Sequence, residues 1–138
     1  MLENQKVNIK IKLAALWASV TFCYLYGDYF ELYTPGKING LLTGENILDS
    51  PTKLLIATLI LAIPSVMVAA SVLLKPSLNR ILNIVFGILF TLMMLFIGIN
   101  SMTEWYGFYA FMAFLESILT FLIVWNAFKW PKNQDASV

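Results

Sequence analysis

Between Trp105 and Trp130 the chain reads WYGFYAFMAFLESILTFLIVWNAFKW. As a helix this is long enough to cross a bilayer, and it carries aromatic rings at both ends, where they suit the membrane–water interface. Three further apolar runs precede it, at roughly Ile11–Tyr33, Leu54–Leu74 and Leu78–Asn100. Lipid offers no partner to a backbone N–H or C=O, so each run must satisfy its own backbone by forming a helix. The reading is all-α: a single transmembrane domain over 1–138, built as an antiparallel four-helix bundle. Residues 34–53 form an outer loop between the first two spans. Charged residues make up only 12% of the chain, against about 25% in soluble domains, which agrees with lipid as the solvent.

Composition excludes several functions. There is one cysteine, Cys23, and no histidine. A lone cysteine forms neither an intrachain disulfide nor a C-x-x-C pair, so quinone-linked thiol oxidation is not expected. Without histidine, haem ligation and most zinc sites are not expected either, and neither a metal nor another cofactor is read. No glycine-rich phosphate loop, Ser-His-Asp set or basic nucleic-acid-binding patch is present, so nucleic acid is not a partner.

Lysine and arginine set the expected orientation. Four spans place both termini on one side, together with Lys6, Lys10, Lys12, Lys75, Arg80, Lys129 and Lys132; the other side holds only Lys37 and Lys53. Both termini are therefore read as cytoplasmic, in the cytoplasmic membrane. Asp28, Glu31, Glu45, Asp49 and Glu104 gather at the outer face, which such a cluster makes attractive to cations.

Two polar stripes mark the candidate site. On the first span Trp17, Thr21, Tyr24, Asp28 and Glu31 follow one another by four, three, four and three residues, which places them on one helical face. The other faces carry Leu16, Val20, Phe22, Leu25 and Phe30. On the fourth span Tyr109, Ala113, Glu116 and Thr120 repeat the spacing. Glu116 falls near mid-span, where an acidic residue costs about 2.5–3.5 kcal/mol on insertion scales. Insertion gives no reason to keep it. The site read from these stripes is Glu116 with Asp28, Tyr24, Tyr109, Thr21 and Thr120, lining a cavity open toward the outer face and serving ligand binding or proton relay. No residue is read as catalytic. The competing explanation is a hydrogen-bonding acid that only holds helices together.

Local signals organise the rest. Pro35-Gly36 is a turn, and Ile38, Leu41 and Leu42 suit a short interfacial helix closed by Gly44. Asp49 and Ser50 offer N-caps ahead of Pro51. Pro64, mid-way along the second span, should bend it and free the Ile60 carbonyl, for which Glu116 is one candidate donor. Ser65, Ala69 and Ala70 suit close helix packing. Met93 and Met94 read as gap fillers. Ser101-Met102-Thr103-Glu104 matches a capping box for the fourth helix.

YLYGD (Tyr24–Asp28), LNRILNIVFGI (Leu78–Ile88) and LESILTFLIVWNAFKW (Leu115–Trp130) resemble a family of small bacterial four-span membrane proteins known only as a domain of unknown function. The resemblance covers nearly the whole chain. Its strongest parts are the Tyr-x-x-x-Asp element ending at Asp28, the Asn79-Arg80-x-x-Asn83 start of the third span, and the glutamate with the Trp-rich fourth span. By analogy the architecture is similar to that of DoxX-type four-helix membrane proteins. The resemblance implies fold and topology and carries no activity.

The leading functional expectation is a non-enzymatic membrane protein. It would bind a small hydrophobic or cationic molecule, or relay protons, at Glu116. Its partners would be the lipid bilayer, a small-molecule ligand and further copies of itself. The rivals are a small proton-coupled exporter, an accessory subunit of a membrane complex, and a membrane enzyme using Glu116 as acid or base. A dual-topology exporter needs weak charge bias, which this sequence lacks. An enzyme needs a second mid-depth catalytic group, and only hydroxyls are available.

Overall fold

The computed structural model describes residue 2 and residues 4–132; the polar tail beyond 132 lies outside the described residues. Five helices follow one another: α1 (Ile9–Glu31), α2 (Lys37–Thr43), α3 (Pro51–Leu73), α4 (Pro76–Asn100) and α5 (Gly107–Phe128). No strand occurs among the described residues. All but α2 are long and apolar enough to cross a membrane. α5 packs against α4 and α1, and α1 also packs against α3, whereas α3 meets α4 only slightly.

The helix boundaries have local causes. Asn8 caps α1, its side-chain oxygen accepting from the Lys10 backbone N–H at 2.9 Å. Ser50 caps α3 by accepting from Lys53 N–H at 3.3 Å, with Pro51 at the first helical position, where its missing N–H costs nothing. The short helix expected after Pro35-Gly36 is α2. It ends at Gly44, whose φ of +79° lies in the left-handed region that glycine enters without steric penalty.

The capping box does not form. Ser101 ends α4, its N–H donating to Ile97 O at 2.9 Å, and α5 starts only at Gly107. Glu104 is exposed and caps nothing. The turns between the helices are closed by backbone bonds instead, from Thr103 N–H to Ser101 O and from Tyr106 N–H to Thr103 O. Those bonds carry the chain past Glu104 before the helix begins.

Basic side chains close two helix C-termini. Lys10 Nζ donates to Leu74 O at 2.7 Å and Val72 O at 3.2 Å, at the end of α3. Arg80 donates to Ala127 O at 3.2 Å and Phe128 O at 3.4 Å, at the end of α5. The last carbonyls of a helix have no intrahelical donor and carry partial negative charge, so a cation there satisfies both needs.

The core is narrow. Leu13, Trp17, Val20, Met67, Phe90, Met94 and Ile123 are buried at its centre. The inward stripe of α1 is more apolar than the polar spacing alone suggests: Val20 is fully buried in line with Trp17 and Tyr24. On α3 the buried positions are Pro64, Met67 and Ser71, while Ser65 and Ala69 face outward. Where α4 meets α5, Gly87 lets the backbones approach: a Cβ built there would lie 2.6 Å from Val124 Cγ2 and 3.4 Å from Thr120 O. The outward faces carry Phe22, Leu25, Leu59, Leu92, Phe96 and Phe121, all exposed. An apolar surface this continuous suits lipid and not water.

Candidate functional site

Glu116 is 2% exposed, between Ala113 and Thr120 on the inward face of α5. It lines a cavity of about 280 Å³ enclosed by α1, α3, α4 and α5. Four polar side chains contribute to the wall: the carboxyls of Asp28 and Glu116 and the hydroxyls of Tyr24 and Tyr109. The remainder is apolar or small, chiefly Ile60, Leu61, Met93, Met94, Ile97 and Met112, with Gly27, Ala57 and Ala113.

Both tyrosine hydroxyls are already engaged. Tyr109 donates to Asp28 Oδ1 at 3.1 Å, joining α5 to α1. Gly27 lies against that ring: a Cβ there would meet Tyr109 at 3.7 Å, an ordinary contact. Tyr24 donates to the Leu61 carbonyl at 2.8 Å. Glu116 Oε2 is buried with no hydrogen-bond partner. A buried polar atom without a partner costs about 1–3 kcal/mol, and more when charged. Such atoms are rare enough in folded proteins to need an explanation.

Of the six residues read as a site, four therefore share one cavity: Glu116, Asp28, Tyr24 and Tyr109. Thr21 and Thr120 stand outside its wall. Thr21 donates to the Trp17 carbonyl, one turn back on its own helix, at 2.9 Å. Thr120 bonds back to the carbonyls of Glu116 at 3.0 Å and Ser117 at 3.1 Å, and it accepts from Thr91 at 2.7 Å. Thr21 thus bonds only within α1, while Thr120, through Thr91, joins α5 to α4. Glu116 is not the donor at the proline: α3 runs unbroken through Pro64, and the side chain that reaches this turn is Tyr24.

Met93, Met94 and Met112 form part of the wall, a role their sequence positions did not suggest. Their spacing from Gly27, Tyr24 and Glu116 crosses helices, and no single-helix periodicity reveals it.

Toward the C-terminal end of α1 the polar groups continue. Glu31 accepts from Lys37 Nζ at 2.7 Å and from the Tyr106 hydroxyl at 3.2 Å, and the rings of Tyr106 and Tyr109 meet edge to face with centroids 6.1 Å apart. In the opposite direction the interior closes. Trp17 and Phe90 pack edge to face, and Trp17 Nε1 donates to Asn83 Oδ1 at 2.7 Å. Asn83 in turn donates to Asn79 Oδ1 at 2.7 Å, and Asn79 donates to Ser71 O at 2.6 Å. Asn79, Asn83 and Ser71 are completely buried. The i, i+4 asparagines read as the polar start of a span are a structural knot linking α1, α3 and α4.

Four membrane-length helices and an apolar exterior define an all-α, multi-pass membrane protein. The chain belongs to a family of unknown function (DUF6326), whose model matches residues 2–137. No curated protein matches the chain, and no solved structure matches it.

Proposed function

We propose that this protein is an antiparallel four-helix bundle of the cytoplasmic membrane, with both termini inside, that binds a small hydrophobic or cationic molecule in the cavity at Glu116. Asp28, Tyr24 and Tyr109 complete the binding wall; Thr120, bonded to Thr91, joins two of the helices that carry it, and Thr21 bonds within α1. The observation that carries this reading is Glu116 Oε2, buried in a cavity wall and left without a partner. An acid kept only to join helices would be hydrogen-bonded across them, as Thr91 is to Thr120. The cavity is near the low end of the usual range for small-molecule sites, about 300–1,000 Å³, so the occupant is small.

Proton relay through the same carboxyl fits less well. Toward Trp17 the interior holds Phe90, Ile123, Leu13 and the Asn79–Asn83 knot, with no carboxyl to continue a path.

Binding is tested with 1-aminoanthracene, a compact apolar fluorophore, on purified protein in detergent. Its emission should rise on adding wild type. In Ala113→Leu, which fills the cavity from a buried wall position, the rise should be lost while the melting temperature stays within a few degrees. Equal fluorescence in the two proteins would sink the reading.

A further inference from the structure

The cavity wall holds two carboxyls and no basic side chain. Its only side-chain hydroxyls, on Tyr24 and Tyr109, direct their protons to Leu61 O and Asp28 Oδ1. The wall's backbone N–H groups belong to helices, where they serve the helical ladder. No donor from the protein satisfies Glu116 Oε2, which leaves that place to a donor carried by the occupant. We infer that the cavity takes a small protonated amine with an apolar body, its ammonium N–H donating to Glu116 Oε2 and its body lying against Met93, Met94 and Ile97. This deepens the binding reading above and rests on it.

Three features select this class. First, an orphaned acceptor asks for an N–H or O–H, which a quaternary ammonium lacks. Second, two carboxyls on a wall that carries no basic side chain favour positive charge, and a charge-assisted bond is stronger than a neutral one. Third, thioether and aliphatic walls favour an unbranched or compact hydrocarbon body, because methionine side chains adapt to irregular shapes. Asp28, already bonded to Tyr109, adds a second negative group on the wall.

The test compares n-hexylammonium, 1-hexanol and tetraethylammonium as displacers of 1-aminoanthracene from wild type, Glu116→Gln and Ala113→Leu in the same detergent. Hexylammonium should displace the fluorophore from wild type at the lowest concentration. Hexanol, with the same body but no charge, and tetraethylammonium, with charge but no N–H, should each need about tenfold more. Glu116→Gln should weaken hexylammonium by about tenfold or more and leave hexanol unchanged. Should Glu116→Gln fail to fold, the ranking of the three displacers on wild type decides alone. Hexanol matching hexylammonium on wild type, or Glu116→Gln weakening both alike, would overturn the amine assignment while the fluorophore result upholds the cavity. Loss of the fluorophore signal itself is the failure of the binding reading.

Discussion

The hydroxyl of Tyr24 donates to the backbone carbonyl of Leu61 at 2.8 Å, three residues before Pro64. Proline supplies no N–H to the turn behind it, and its ring crowds the carbonyl four residues back. In lipid, water does not reach that turn, so a side chain from a neighbouring helix is what can steady it. The carbonyl left without its helical donor is that of Ile60; Tyr24, from α1, takes the next one, Leu61 O, and lies 3.4 Å from the Ser65 hydroxyl. One phenol thus joins two helices at the weakest point of α3 and forms part of the cavity wall.

Removing that hydroxyl tests the join. Tyr24→Phe keeps the ring and should cost about 1 kcal/mol of stability. In a Pro64→Ala background, where the helical ladder is restored, the same change should cost less. Detergent melting of the four proteins forms a double-mutant cycle; zero coupling would show that Tyr24 does not serve the proline turn.

Asn83 should matter more than its position near a span end suggests. Asn83→Ala strands both the Trp17 indole N–H and the Asn79 carbonyl oxygen, each fully buried. A loss of about 2–4 kcal/mol is expected, with red-shifted or broadened Trp17 emission as water enters. Stability within about 0.5 kcal/mol of wild type would mean the knot is dispensable.

Gly87 of α4 lies close against α5, facing Val124 and the Thr120 carbonyl. Gly87→Ala places a methyl against Val124, a stiff β-branched side chain, and should destabilise by about 1–3 kcal/mol. Val124→Ala should recover most of that loss, since it removes the atom in conflict. If the double variant is no more stable than Gly87→Ala alone, the steric explanation fails.

Orientation is decided by labelling single cysteines in a Cys23→Ser background. With seven of nine basic residues assigned to the side of the termini, a membrane-impermeant maleimide added to intact cells should label Ile47→Cys, which is exposed in the α2–α3 connection. It should miss Asn4→Cys until the cells are opened. The reverse pattern would invert the assignment.

The amino-acid order determined the class of this protein and its helices to within a few residues, because run length, apolarity and the caps at Ser50-Pro51 and Gly44 are local properties. The inward faces of α1 and α5 were also legible, since a period near 3.6 marks a face without reference to any neighbour. Periodicity does not say which residue of another helix that face will meet. Only tertiary packing brought Tyr24, and not Glu116, to the turn before Pro64, and only packing gathered Met93, Met94 and Met112 around the acid. Packing also turned Asn79 and Asn83 from an interfacial start into a buried knot. Glu104 shows the converse: its Ser-x-x-Glu spacing matched a capping box, and the turn bonds after Ser101 delayed the helix past it. The first three share a physical reason. Contacts between residues 37 or 66 positions apart depend on the relative rotation and depth of whole helices, which the burial of Trp17, Phe90 and Ile123 decides together and no single segment encodes.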